Sequence, residues 1–138
     1  MRRQRTDTDV YYYCLYVGIA IKESIRARLN WHVNQCHSES AVKSGTLSTL
    51  RQTLSSLAAG NQYDEAATNA IINQMVVEYH PVAHPINSEP ARREILRIEQ
   101  EEMAQHIVPL NIMGNYHAIL QPFLTELKKV RKASNPHR

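Results

Sequence analysis

Apolar residues recur three or four positions apart along most of the chain, which is the spacing of an amphipathic α-helix. The first run covers about residues 8–36, with apolar positions at Val10, Cys14, Val17, Ile21, Ile25, Leu29 and Val33. Its first half is apolar on nearly every side, whereas its second half carries arginines and asparagines. The pattern predicts a long N-terminal helix whose first half is buried in the fold or in a subunit contact.

Four further helices are predicted downstream from apolar stripes and capping residues. A leucine stripe predicts a short helix that ends at Gly60, because glycine suits the left-handed cap position. Asp64 and Ser88 are predicted N-caps of the next two helices. The last stripe predicts a terminal helix that is kinked near Pro122. No segment alternates as a strand does, so the predicted fold is all-α, a bundle of four or five helices forming one domain over residues 1–138.

Composition agrees with a single folded domain and excludes several classes of protein. The chain has 138 residues, of which 43% are hydrophobic and 21% are charged, close to the globular norm. The apolar run before Lys22 is too short to span a membrane, and no small-residue cleavage site follows it. On one helix, Cys14 and Cys36 would lie roughly 33 Å apart, too far for a disulfide. We therefore expect a cytoplasmic protein with free thiols and no membrane contact.

The positive charges are concentrated at the two ends of the chain. Residues 1–9 carry three arginines against two aspartates, and residues 128–138 carry five basic residues and no acid. Residues 1–7 and 133–138 are predicted to be flexible basic tails. Such cations would bind phosphates weakly and without reading base sequence, or would only complement the helix dipole. The phosphate-binding candidates are Lys128, Lys129, Arg131 and Lys132.

The histidines raise the question of a metal site. Glu102 and His106 lie four residues apart on one predicted helix, and His117 could approach them from the next helix. The paired Glu-x-x-His motifs of di-iron bundles and the cysteine spacings of zinc sites are both missing. We therefore expect no metal and no cofactor, with these histidines partly exposed.

One short motif resembles a known enzyme family. Residues 26–32, which read RARLNWH, are similar to the arginine, spacer, histidine motif of HEPN-type ribonucleases. The resemblance implies a helical protein whose dimers place Arg28 and His32 at a shared active site. A phosphate-binding glycine loop, a Ser/His/Asp order and a paired-carboxylate signature are absent from the sequence, so no catalytic residue is assigned. Whether the protein is an enzyme stays open, with a non-enzymatic role favoured.

The tyrosine-rich start of the chain predicts a contact surface. One bundle covers only part of a helix's circumference, and tyrosine contributes apolar ring area while its hydroxyl stays hydrated. The expected interface residues of a homodimer are Tyr11, Tyr12, Tyr13, Tyr16 and Ile19. The alternative is that these side chains fill the core of a monomer.

The favoured function is that of a regulatory or adaptor protein that acts through a protein partner, of the accessory kind carried by phages and plasmids. Two alternatives stay open. One is a regulator that binds nucleic acid through its basic termini, and the other is the HEPN-like ribonuclease.

Overall fold

The computed structural model describes residues 4–5, 11–33, 37–112 and 115–135. Its α-helices are Ile25–Val33 (α1), Glu39–Ser44 (α2), Thr49–Ala59 (α3), Glu65–Ile72 (α4), Glu89–Gln105 (α5) and Gln121–Ala133 (α6), with a 3-10 turn at Ala118–Leu120. Strand structure within the described ranges is limited to the antiparallel pair of Gln4–Arg5 (β1) and Tyr11–Tyr12 (β2). The predicted all-α class is confirmed.

Local capping chemistry sets most helix boundaries. Five helices begin after a side chain that accepts a hydrogen bond from the backbone N–H three residues further on, namely Ser24, Ser38, Ser48, Asp64 and Ser88. Gly45 and Gly60 end α2 and α3 in the left-handed conformation, with φ of 69° and 62°. The predicted caps at Gly60, Asp64 and Ser88 are therefore confirmed.

The predicted long N-terminal helix is wrong. Residues 13–24 form neither helix nor strand, and α1 covers only Ile25–Val33. The run is dense in aromatic and β-branched residues, which favour extended backbone, and Gly18 inside a helix would cost about 1 kcal/mol relative to alanine. The helix starts where Ser24 Oγ accepts a hydrogen bond from Ala27 N at 3.1 Å. The separation estimated for the two cysteines loses its basis: Cys14 is a free thiol, and Cys36 lies outside the described residues.

The predicted kink at Pro122 is also wrong. Pro122 is the second residue of α6 and lies directly after the 3-10 turn. In the first turn of a helix the backbone N–H has no intrahelical partner, so proline costs nothing there. Pro122 therefore helps to start α6 instead of bending it.

The chain divides into two compact units, each made of two separate segments. Unit 1 comprises Met1–Arg28 and Val76–Leu120, and unit 2 comprises Leu29–Met75 and Gln121–Arg138. The buried apolar residues of unit 1 are Ala91, Val108 and Leu110. In unit 2, α3 packs against α4 and α6, around Val42, Leu47, Leu54, Ile72, Leu124 and Leu127. That residues 1–138 behave as one domain stays a prediction. Within the described ranges, no helix is long and apolar enough to cross a membrane.

Unit 2 is organised around the buried guanidinium of Arg51, which is 1% exposed. It donates hydrogen bonds to the backbone oxygens of His32 at 2.7 Å and Val33 at 2.6 Å, at the end of α1. It also donates to Asn69 Oδ1 at 2.9 Å and His37 Nδ1 at 3.3 Å. Burial lowers the pKa of Arg51. One side chain thus satisfies carbonyls that the helix end leaves unpaired and joins α1, α3 and α4.

The C-terminal segment packs against unit 2 as far as residue 135, within the range that the sequence predicts to be a flexible tail. Ser134 Oγ lies 2.6 Å from Ser56 Oγ, and Asn135 Nδ2 donates to Val42 O at 2.7 Å. Both residues are buried, so the expected tail at 133–138 does not begin before residue 136. Residues 136–138, and residues 1–7 apart from the backbone of β1, lie outside the described residues.

Substitution of Arg51 by alanine is expected to lower the free energy of unfolding by about 3 kcal/mol. The reason is that the variant leaves two buried carbonyls and the Asn69 side chain without their donor. Urea unfolding followed by circular dichroism measures the change. Arg93→Ala is the matched control, since this exposed arginine forms a surface pair with Glu89 on α5 and its loss should leave stability unchanged. Equal stabilities of the two variants would contradict the role assigned to Arg51.

Candidate active site

The irregular segment of unit 1 is held in place by the side chain of Asn111. Asn111 Oδ1 accepts from Val17 N at 2.8 Å, and Asn111 Nδ2 donates to Val17 O, also at 2.8 Å. Leu110 N donates to Leu15 O at 3.0 Å. Asn111 is itself buried, and it lies 94 positions from Val17 in sequence. This paired contact fixes the backbone on both sides of Val17 and therefore the positions of Tyr16 and Gly18.

Gly18 leaves room for the ring of Tyr16. A Cβ atom at Gly18 would lie 3.0 Å from Tyr16 Cε1, which is closer than ordinary van der Waals contact. Any other residue would therefore force the ring to move. Glycine at this position and the Asn111 contact together set the place of a half-buried tyrosine.

Arg28 is presented by α1 just after this segment. Its guanidinium lies 3.4 Å from Glu23 Oε1, and both side chains are partly exposed. The other arginine side chains described in unit 1 are exposed, whereas Arg28 is half-buried. A half-buried arginine interacts more strongly with an anion than a fully solvated one, because water screens it less.

Glu102 links α5 to two histidines. Its Oε2 lies 3.0 Å from His106 Nε2, and its Oε1 lies 4.0 Å from His80 Nε2. His80 is also 3.4 Å from Glu78 Oε1. Burial, followed by the negative charge of Glu102, raises the pKa of the Cys14 thiol. Cys14 in the irregular segment and Glu102 on α5 therefore lie within electrostatic reach of each other, and the raised pKa favours the protonated thiol.

Glu99 stands out among the carboxylates of α5. It lies three residues before Glu102, on the same side of the helix, and it is half-buried. Burial raises its pKa above the ordinary value. Within the described residues it forms no hydrogen bond and no ion pair. A desolvated carboxylate without a cation is unfavourable, and such a group in a folded protein favours a binding role.

No group of three or more His, Cys, Asp or Glu side chains in the described ranges is placed to hold a metal ion. Two of the three residues considered from sequence pair with each other, and the third has a different partner. His106 pairs with Glu102 at 3.0 Å, whereas His117 Nε2 lies 2.8 Å from Met103 O. A cation site here would therefore depend on one or two carboxylates rather than on a histidine cluster.

Comparison with protein families identifies the chain. A family model described as the GIY-YIG catalytic domain matches residues 2–133. The chain belongs to the GIY-YIG family. No curated protein and no solved structure matches it significantly.

The tripeptides in the family's name can be compared with the chain directly. Tyr16, Val17 and Gly18 differ from Tyr-Ile-Gly only by valine in place of isoleucine. In the structure, the Asn111 contact and the close approach of the Tyr16 ring to Gly18 fix the positions of these three residues. The sequence contains no Gly-Ile-Tyr, so the first tripeptide of the name has no literal counterpart.

The functions expected from sequence are corrected by this match. GIY-YIG catalytic domains are nucleases, so the expected regulatory or adaptor protein of phage or plasmid type is wrong. The same finding overturns both alternatives, the regulator that binds through basic termini and the HEPN-like ribonuclease. Arg28 and His32 do lie four apart on α1, but His32 is buried beside Trp31, with ring centroids 5.3 Å apart.

The site residues predicted from sequence are placed as follows. Tyr12, Tyr16 and Ile19 are half-buried, Tyr13 is exposed, and the side chain of Tyr11 lies outside the described residues. The homodimer interface stays a prediction, although the helix from which it was argued is absent. Of the phosphate-binding candidates, Lys128, Lys129 and Lys132 are exposed and Arg131 is half-buried, all on α6 in unit 2.

Sequence reasoning missed three positions of the site, namely Gly18, Glu99 and Asn111. Gly18 gave a signal, because glycine in an apolar run is costly in a helix and often marks a close approach. Glu99 is one of five acidic residues of α5, and only its burial distinguishes it. Asn111 gave no local signal, since its partner is remote in sequence.

Replacing Asn111 with alanine is expected to release the segment around Val17. The variant loses both hydrogen bonds to Val17, so the Val17 amide should exchange with solvent roughly fivefold faster or more, corresponding to about 1–3 kcal/mol. Hydrogen exchange followed by NMR measures this. Asn73→Ala, at an exposed position after α4, is the control and should leave the exchange of Val17 unchanged. Unchanged exchange in Asn111→Ala would disprove the anchoring role.

Glu99→Gln is expected to stabilise the protein at neutral pH. The pKa of Glu99 is raised in the folded state, so the folded protein binds this proton more tightly than the unfolded chain does. The free energy of unfolding therefore falls as pH rises from 4.5, the ordinary pKa of a glutamate side chain, through the folded-state pKa of Glu99. The variant lacks this loss, so its free energy of unfolding should exceed that of the wild type at neutral pH. Well below pH 4.5 the two proteins should be equally stable. Urea unfolding across pH checks this, with Glu101→Gln as the exposed control, which should show no gain.

Proposed function

We propose that this protein is a nuclease that hydrolyses phosphodiester bonds of nucleic acid, with its active site in unit 1. The class of reaction is supported by the catalytic-domain match over residues 2–133. The location is supported by a tyrosine, an arginine and a half-buried carboxylate within that unit, at Tyr16, Arg28 and Glu99. The observation that carries the assignment is the half-buried Glu99 carboxylate, which has no cationic partner within the described part of the chain.

Arg28 is assigned to the scissile phosphate. Hydrolysis builds negative charge on the phosphate oxygens, and a planar guanidinium binds two such oxygens at once. Glu23, 3.4 Å from the guanidinium, orients Arg28. The half-buried position strengthens the contact relative to the exposed Arg26, which lies two residues earlier on α1.

Glu99 is assigned to a divalent metal ion. Mg²⁺ is commonly held in proteins by one or two carboxylates and completes its shell with water and substrate phosphate, so the donor set fits such an ion. When bound, the ion would supply an activated water and would offset charge on the phosphate. Burial raises the pKa of Glu99 because the charged carboxylate is desolvated, and a bound cation would offset this unfavourable desolvation. Glu102, three residues further along α5, is already engaged with His106 and His80.

Tyr16 is assigned to orienting the reacting groups. Its hydroxyl can donate to a phosphate oxygen or accept from the attacking water. Gly18 and Asn111 fix its place through the contacts described above, which limits the reorganisation needed when substrate binds. We also propose a cytoplasmic location, which the free thiol of Cys14 supports.

The purified protein is expected to cleave plasmid DNA or structured RNA in the presence of Mg²⁺, and removal of the ion with a chelator should stop cleavage. Arg28→Ala and Glu99→Gln should each lower the rate by roughly 10²-fold or more. The matched controls, Arg26→Ala and Glu101→Gln, remove the same charges from exposed neighbours on the same helices and should retain activity. Gel-based cleavage assays measure the rates.

Two outcomes would count against this proposal. One is the absence of cleavage of either polymer by the wild-type protein. The other is full activity of Glu99→Gln, which would exclude this carboxylate from the reaction whatever its burial.

A further inference from the structure

A hollow of about 200 Å³ lies on the surface of unit 2, next to α6. Its lining residues are Gln52, Gln62, Lys128, Arg131 and Lys132. The three cations come from one side of α6, at positions i, i+3 and i+4, whereas the two amides come from α3 and from the turn before α4. We call this feature the α6 hollow.

The inner wall of the α6 hollow is fixed by hydrogen bonds. Arg131 donates to Gln52 Oε1 at 2.8 Å, and Gln52 Nε2 donates to Leu47 O. Gln62 Nε2 donates to Arg131 O at 2.9 Å. Both glutamines are 2% exposed, so the guanidinium of Arg131 is held at a defined position on a rigid wall. A ligand that meets Arg131 there does not have to order it first.

The charge of the α6 hollow is positive. Lys128 and Lys132 are exposed at its rim, and no carboxylate in the described part of the chain lines it. The nearest acid on α6, Glu126, pairs with Lys129 at 2.7 Å, and neither residue lines the hollow. A site lined by one fixed guanidinium, two exposed ammonium groups and no acid favours a phosphate group.

We propose that the α6 hollow binds a phosphate of the nucleic-acid backbone, as a contact separate from the candidate active site. A fixed arginine with two flexible lysines meets phosphate oxygens but has no group placed to read base edges, so the contact is indifferent to sequence. The choice of nucleic acid as the polymer rests on the proposed nuclease function. The site itself rests on the geometry of unit 2.

The test compares Lys128→Gln/Lys132→Gln with Lys129→Gln/Lys43→Gln, which removes two lysine charges from exposed positions outside the hollow. Binding of a short DNA duplex is measured by fluorescence anisotropy in chelator over a range of salt concentrations. Loss of the two rim lysines should lower the salt slope of the binding constant by about 2, one unit for each phosphate contact. Over the range from low to physiological salt, the affinity of this variant should be roughly tenfold lower than that of the wild type. The control double variant should keep the wild-type slope.

A second measurement locates the contact. In NMR titrations with the same duplex, the side-chain NH₂ signals of Gln52 and Gln62 should shift, whereas those of Gln74, which lies outside the hollow, should not. Equal salt slopes for both double variants, or shifts caused by inorganic phosphate but not by the duplex, would overturn the proposal.

The two proposals fail in distinguishable ways. Duplex binding that depends on Lys128 and Lys132, in a protein that cleaves neither DNA nor RNA, would reject the nuclease and support the hollow. Cleavage by the wild-type protein, with unchanged duplex binding in Lys128→Gln/Lys132→Gln, would support the nuclease and reject the phosphate contact in the hollow.

Discussion

A stretch of backbone outside helices and ladders must find hydrogen-bond partners elsewhere in the molecule, and unit 1 is built around this constraint. Between residues 13 and 24 the partners come from two distant places. Asn111 and Leu110 bind the part near Val17, whereas Asn87 N donates to Ile21 O at 3.0 Å. Asn87 adopts φ of 62°, a conformation that asparagine tolerates better than most residues.

The same constraint shapes unit 2, where a helix end is buried instead of a loop. The last carbonyls of α1 have no partners within the helix, and Arg51 supplies them from α3. A cationic donor makes these bonds stronger than a neutral one would, at the cost of placing a charge among uncharged groups. Each unit thus depends on one buried polar side chain that bonds to backbone atoms of a different segment.

The sequence predicts those features that depend on neighbours in the chain. Gly60, Asp64 and Ser88 were correctly assigned as caps because a cap acts within one turn of its own residue. The run from Val10 to Ile21 was misassigned because apolar spacing alone does not separate a buried helix from buried irregular backbone. Here the tyrosines, the valines and Gly18 were the better indicators.

The candidate site was less predictable than the fold. From the sequence, Arg28 was assigned to a motif of an unrelated family, and Tyr16 was assigned to a homodimer interface. Glu99 is distinguished from its acidic neighbours by desolvation, and Asn111 by a partner 94 positions away. Both properties belong to tertiary structure. A single sequence contains them only implicitly, and the family match supplied the reaction class that residue patterns did not.

Because unit 1 is assembled from two segments, with residues 29–75 of unit 2 between them, its site cannot exist in a partial chain. During synthesis Tyr16 and Arg28 leave the ribosome first, whereas Glu99 and Asn111 follow only after residues 29–75 have been made. A nascent chain that ends within unit 2 therefore carries the arginine proposed to bind phosphate, but neither the carboxylate nor the asparagine that orders Tyr16. Under the proposed function, such a chain has an incomplete site.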